Sequence, residues 1–310
     1  MRIASIDLGT NTLRILIADV KKDKLYPLFS QNALVRIGEG ISKQRLLKVS
    51  AMERTISALE GFKKKIDEFQ VQEVLFLATS ALREAENRDV FLKKVKKIGF
   101  SPKIINGKKE AELTTKGALF LLKEKYKLNN TNLFFDLGGG STEFVIFDKG
   151  IKHILSIPQG VVKLTESFLL HDPPAKKELD KLRDFVGHTL SELLKDFLSY
   201  SIKEIIGDAG TVTTLSAIAL KLKEYDEERT TGFHLKKKKI EELREKMVRL
   251  TAKERLHRFP ILEKGREDVI VSGCIFLEEL LDLSKKDEII STDGGLREGI
   301  IVERFSLPWT

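Results

Sequence analysis

The chain has one cysteine, one tryptophan and no hydrophobic run that could cross a bilayer. Cys274, alone, cannot close an intramolecular disulfide and offers little to a cysteine-based metal site. Set in the apolar run VSGCIFLEEL, it reads as a core residue. A membrane span needs about 18 uninterrupted apolar residues, and none occurs, so no membrane partner is expected. Met1 leads straight into a strand-like segment, with no charged or apolar leader, which predicts a cytoplasmic protein. Zinc-finger spacing, a helix-turn-helix signature and an aromatic-basic RNA motif are all missing, which leaves no DNA partner to expect. His153, His171, His188, His234 and His257 share no motif with another metal ligand and receive no chemistry.

What is present is a 310-residue chain, 42% hydrophobic and 32% charged, long enough for one large or two ordinary domains with buried cores. Its net charge is +8, from 54 basic against 46 acidic side chains. Nucleic acid, a polyanionic small substrate and a densely charged, heat-adapted surface compete to explain that excess. With the nucleic-acid motifs missing, an anionic substrate is the favoured reading.

Phe134 to Ile146, FFDLGGGSTEFVI, is the most informative stretch. An apolar run enters Asp136; Gly138, Gly139, Gly140, Ser141 and Thr142 follow; then come Glu143 and a second apolar run. This is the pattern of a β-hairpin with a phosphate-sized turn. Its glycines permit positive φ and let amides approach an anion, and its two hydroxyls add donors. Asp136 and Glu143 place carboxylates at the same mouth, suited to a divalent cation or to water. A plain tight hairpin is the competing reading. Ile6 to Ile17, IDLGTNTLRILI, repeats the pattern: Asp7-Leu8-Gly9-Thr10-Asn11-Thr12 aligns on the aspartates, with one extra residue expected in the second loop. Such a repeat implies two similar halves, each offering a phosphate loop to a shared cleft.

Periodicity predicts helices over Ser50–Phe69, with Ser50 as N-cap, and over Asn87–Ile98, Lys109–Tyr126, Val161–Leu170, Lys176–Leu198 and Leu235–Leu250. Strands are expected at Val74–Ala78, Lys103–Ile105, Lys152–Ile157, Ile202–Ile206 and Ile289–Ile290, with a strand and turn at Leu34–Gly40. Thr79 to Arg83 reads as a strand-to-loop exit carrying hydroxyls and one arginine. The helix from Lys109 opens with Glu110 and Glu112. Either these simply favour a helix N-terminus, or one carboxylate reaches the cleft as a base. Gly207-Asp208-Ala209-Gly210-Thr211 joins a strand to a helix N-terminus, a site for a nucleotide or a distal phosphate.

Taken together, IDLGTNTLR, ATSALREAEN, FDLGGGSTEF and IGDAGTVTTL, joined by NGKKEAEL and GREDVI, resemble the exopolyphosphatase/guanosine pentaphosphate phosphohydrolase family over nearly the whole chain. The resemblance implies the duplicated, ribonuclease H-like α/β fold of the actin-like ATPases. Residues 1–122 would form one domain and 123–310 the second, with a last helix at about 296–310 packing back on the first. It also implies release of the terminal phosphate from polyphosphate or guanosine pentaphosphate, with Mg2+ or another divalent cation, and allows a homodimer. The family's catalytic glutamate, in Gly-x-x-Glu-Ala, falls on Glu110; Glu143 matches a second important carboxylate and Asp136 the aspartate near the metal, with Asp7 its counterpart in the first hairpin. Arg83 and Arg266 would stabilise charge on the equatorial oxygens. Longer members carry a further C-terminal helical region, so a chain ending at Thr310 is expected to grip a long polymer less. A kinase or ATPase of the same fold and a nonenzymatic alarmone or polyphosphate sensor are the alternatives.

Overall fold

The computed structural model describes residues 1–126 and 130–309; Thr310, the end of the expected last helix, lies outside them. In chain order the strands are β1 (Arg2–Leu8), β2 (Thr12–Lys21), β3 (Lys24–Leu34), β4 (Glu73–Ala78), β5 (Lys103–Ile104), β6 (Asn132–Leu137), β7 (Thr142–Phe147), β8 (Ile151–Ile157), β9 (Ile205–Asp208), β10 (His234–Lys236) and β11 (Glu288–Ser291). One sheet runs β3-β2-β1-β4-β5 and the other β10-β11-β9-β6-β7-β8. Each contains an antiparallel three-strand meander followed by two parallel strands, and the second adds β10 antiparallel to β11 at its edge: β1 pairs β2 antiparallel and β4 parallel, as β6 pairs β7 and β9. The fold is therefore duplicated, two mixed α/β units built on the same hairpin, the arrangement of the actin-like fold.

Central strands of such units are covered on both faces and read as continuous apolar runs. β1 and β6 meet that description, being buried almost throughout except near their ends. Helices Val49–Glu68 and Arg88–Lys97 cover one face of the first sheet, contributing Met52, Leu59, Phe62, Phe91 and Val95 to its core. Helices Lys176–Leu193 and Ile270–Ser284 cover the second, where Cys274 is fully buried.

Between the sheets two helices change sides. Helix Gly107–Leu122 packs on β7 and β8 of the second sheet, and helix Leu296–Phe305 packs on β1 and β2 of the first. They cross backbone to backbone: a Cβ on Gly117 would lie 2.0 Å from the Gly295 carbonyl oxygen, and one on Gly299 1.8 Å from that of Leu113. Only glycine permits that approach.

Local differences from the sequence reading have physical causes. β3 is an edge strand exposed along most of its length, so it lacks the alternation that marks a half-buried strand. It also carries Pro27, and its pairing with β2 shifts register there. Of the segment Leu34–Gly40, only Leu34 is in a strand. Ser50 is not an N-cap: it lies inside helix Val49–Glu68, whose cap is Lys48. Ser80–Glu84 is a short helix, and His234–Lys236 is β10, the helix starting at Lys237.

Candidate active site

The two repeated hairpins fix the site. In the first, Asp7 stands opposite Arg14 and the Gly9 amide donates to the Thr12 carbonyl at 3.0 Å. In the second, Asp136 stands opposite Glu143 and the Gly138 amide donates to the Ser141 carbonyl at 3.1 Å. The turns are equally long, so the extra residue expected in the second loop is not there; Thr12 corresponds to Ser141. Positive φ is not what the turn glycines provide, since none of Gly9, Gly138, Gly139 and Gly140 adopts it. They provide room. A Cβ on Gly140 would lie 2.4 Å from Thr10 Oγ1 and 2.8 Å from Ser80 Oγ, and one on Gly139 3.3 Å from Thr10 Cβ. The two turns touch across the cleft, side chain on one and bare backbone on the other. Residues after β3 cradle the first turn: the Asn11 carbonyl accepts from the amides of Val35 (3.1 Å) and Arg36 (2.8 Å), and the Thr10 carbonyl from Gly38 (3.0 Å).

One cleft is lined by Asp7, Gly9 to Thr12, Glu110, Asp136, Gly138 to Ser141, Asp208, Gly210, Thr211 and Arg266. Four other candidate residues stand behind its surface. Thr142 is buried in β7, its hydroxyl donating to the Gln159 carbonyl at 2.7 Å. Gly207 lies within β9, where a Cβ would come 2.6 Å from Phe135 Cζ, so it serves packing. Arg83 backs Glu110, donating from Nη1 to its Oε2 at 2.5 Å and to the Ile105 carbonyl at 3.0 Å. Glu143 is buried beside them and accepts from Ser156 Oγ at 2.8 Å.

Glu110 is presented by the first turn of helix Gly107–Leu122, whose N-cap Asn106 accepts from the Lys109 amide at 2.8 Å. Glu112 turns outward to Lys109 and Lys116. Burial pushes the Glu110 carboxyl up to about 7, Arg83 opposing and Asp136 and Asp7 adding to the rise. Asp136 reaches about 6, again mainly through burial. Glu143 and Asp208 are raised well above the usual carboxylate range, by burial and then by Glu110 and Asp136 beside Glu143 and by Asp136 beside Asp208.

Amid these acids stands Arg14, a lone charge at the start of β2 among Leu13, Ile15, Leu16 and Ile17. Burial pulls its guanidinium down, but Asp7, Asp208, Asp136 and Glu263 more than offset that, and its Nε has no hydrogen-bond partner among the described residues. It lines the cleft directly. A signal existed: Arg14 follows Asp7 by the same interval as Glu143 follows Asp136. Arg266 enters from the opposite unit. Its Nε donates to Glu263 at 2.8 Å, and its guanidinium lies on Gly210, where a Cβ would be 1.0 Å from Nη1. The preceding Ala209 has φ 132° and ψ 156°, a region almost reserved for glycine.

Among the described residues no three acidic, histidine or cysteine side chains gather to hold an ion by themselves. Asp7 and Asp136 nevertheless line one cleft, near enough that Asp7 raises Asp136. Two hard carboxylate donors fit Mg2+, which keeps water and phosphate oxygens as its other ligands.

The family model described as the Ppx/GppA phosphatase family matches residues 16–307. The chain belongs to that family. It is 35% identical to a bifunctional 3-dehydroquinate synthase/phosphatase of Fusobacterium nucleatum over 97% of this chain, which spans 46% of that relative. It is 33% identical to exopolyphosphatase 2 of Mycobacterium tuberculosis, over 90% of this chain and 89% of the other. A guanosine-5'-triphosphate,3'-diphosphate pyrophosphatase of Aliivibrio fischeri is 26% identical over 96% of this chain and 58% of its own. In three dimensions a Ppx/GppA family member of Aquifex aeolicus superposes with a TM-score of 0.82 at 32% identity, covering 99% of this chain and 98% of the other. Within this Ppx/GppA chain, no helix among the described residues is long and apolar enough to cross a membrane.

Proposed function

We propose that this chain hydrolyses the terminal phosphoanhydride bond of inorganic polyphosphate or of guanosine pentaphosphate, as a cytoplasmic enzyme. The observation that supports this most is Glu110: a buried carboxylate raised to about 7, lining the cleft where two amide-bearing turns meet. A general base works best when its pKa lies near the operating pH.

Phosphoryl transfer depends mainly on positioning and on neutralising a strongly negative group. The turns Gly9–Thr12 and Gly138–Ser141 hold the terminal phosphates through their amides and hydroxyls. Arg266 and Arg14 face the charge on the transferred group. Glu110, held by Arg83, orients a water and takes its proton as the water oxygen bonds to phosphorus. The bridging P–O bond breaks and its electron pair leaves on the shortened substrate. Glu143, held by Ser156 of β8, braces the second turn through Ser141. Asp7 and Asp136 would hold the divalent cation, which supplies further neutralisation of phosphate oxygens when bound. Asp208, Gly210 and Thr211 fit a distal phosphate or the nucleoside portion. In this reading residues 1–122 and 123–310 are the two domains, and Glu110 is carried on the helix that packs against the other's sheet.

The test is phosphate release from polyphosphate and from guanosine pentaphosphate side by side, with Glu110→Gln as control. The variant is expected to lose at least about a hundredfold in rate. Turnover close to that of the parent chain would remove Glu110 from the mechanism.

A further inference from the structure

Behind the Glu110 carboxylate lies a second cavity. It is lined by Arg83, Glu84, Lys108, Ser156 and the two residues Ser80 and Ser141, which also line the main cleft. The Arg83–Glu110 pair therefore stands between a front cleft, which both turns face, and a rear groove. The acid in that groove is already neutralised: Glu84 is bound by Lys163 at 2.7 and 2.9 Å and accepts from Ser80 Oγ at 2.8 Å. Ser80 and Ser156 give their protons to Glu84 and Glu143, so what remains to meet a ligand is the Arg83 guanidinium, the exposed Lys108 ammonium and the positive end of the sixteen-residue helix Gly107–Leu122. That is the chemistry of an oxyanion site.

We propose that the rear groove is the exit for orthophosphate, distinct from the cleft by which the substrate enters. This rests on the phosphohydrolase reading above. In an in-line displacement the nucleophile attacks from the side away from the leaving group, and the transferred phosphoryl moves toward it. Here that side is Glu110, so the new orthophosphate forms against the Arg83–Glu110 pair while the shortened substrate still fills the front cleft. The proton taken from water neutralises Glu110, which removes the counter-charge from Arg83. Arg83 is then free to draw the product through Ser80 and Ser141 toward Lys108. A polymer can remain bound in front throughout.

The order of release is measurable. Orthophosphate leaving first, with the shortened chain still bound, makes inorganic phosphate a noncompetitive product inhibitor against polyphosphate. If both products use the front cleft, phosphate must leave last and inhibits competitively. Lys108→Glu places an acid in the groove and should raise the inhibition constant for inorganic phosphate about fivefold, an effect that shrinks in high salt. The Michaelis constant for polyphosphate should change less than about twofold, because Lys108 does not line the front cleft. Noncompetitive inhibition weakened by Lys108→Glu supports the rear exit. Competitive inhibition, or an inhibition constant unmoved by Lys108→Glu in a chain whose melting temperature is unchanged, overturns it. Absence of turnover by the parent chain on either substrate overturns instead the phosphohydrolase reading on which it stands.

Discussion

The hairpins at Asp7 and Asp136 share a turn length, a closing hydrogen bond and an aspartate at the same register, yet they differ where it matters. Opposite its aspartate the first carries Arg14 and the second Glu143. At the tip the first carries Thr10 and Asn11, and the second has only Gly139 and Gly140. Duplication supplied two copies of one backbone; complementarity required their side chains to diverge. Two bulky turns could not meet, and two bare ones would leave nothing to fill the gap. Likewise a glutamate in the place of Arg14 would leave Asp7, Asp136 and Asp208 without their shared counter-charge.

That asymmetry can be broken at several levels. Gly140→Ala puts a methyl group 2.4 Å from Thr10 Oγ1 and forces the turns apart. A displacement of about 1 Å can cost on the order of a hundredfold in rate, and Gly140→Ala should approach that figure. Gly139→Ala, with its nearest contact at 3.2 Å, should lose less than about tenfold by the same argument. Steady-state kinetics of the two variants check the ranking, and equal losses would mean that the turns need not touch.

Next in size is the pH response. Glu110 must be deprotonated to act as a base, so the rate should fall as pH drops below about 7. Arg83 is the cation that holds this carboxyl down against burial. Arg83→Met should therefore move the acid limb up by about one pH unit or more, as well as lower the maximal rate. A limb that stays in place would dissociate Arg83 from Glu110.

Stability separates the two partner positions more gently. Glu143 is raised by burial above its ordinary 4.5, so the folded chain holds that proton more tightly than the unfolded chain. Its contribution is complete below the ordinary value and is lost as pH rises through the folded one. Glu143→Gln should flatten the fall of melting temperature toward alkaline pH by about 2 °C. Arg14→Gln should steepen it, because the acids around it lose their counter-charge. The same slope in both variants would contradict the opposed roles.

The smallest effect concerns the turns that follow the parallel strands. Thr79, after β4, has an ordinary negative φ of −121°, whereas Ala209, after β9, sits at 132°. Ala209→Gly should stabilise the fold by about 1 kcal/mol through relief of that strain, measurable as a higher denaturation midpoint. Destabilisation would show that the Ala209 methyl group contributes packing of greater value.

Much of the arrangement was legible in the sequence because it is local. Asp136, the turn glycines and Glu143 are contiguous, and their repetition at Asp7 announces two related units. Glu110 was visible but ambiguous, since acids favour any helix start; burial and the Arg83 partner distinguish it from Glu112. β3 was hidden by its exposure on the sheet edge. Gly207 looked like part of a phosphate turn, yet it lies beneath Phe135, because a strand's final residues alternate between cleft and core.

By itself, the sequence determined the order of elements, the duplicated hairpins and the residue types at the two turns, since hydrophobic period and turn chemistry act over a few neighbours. Strand register decided that Arg14 faces Asp7, and the exchange of helices between sheets decided that Glu110 reaches the cleft. Packing decided that Thr10 fills the space above Gly140 and that Arg266 lies on Gly210. Apart from the Asp7–Arg14 pair, which one hairpin brings together, these depend on contacts between residues far apart in the chain, where no local pattern records which side chain must yield to which.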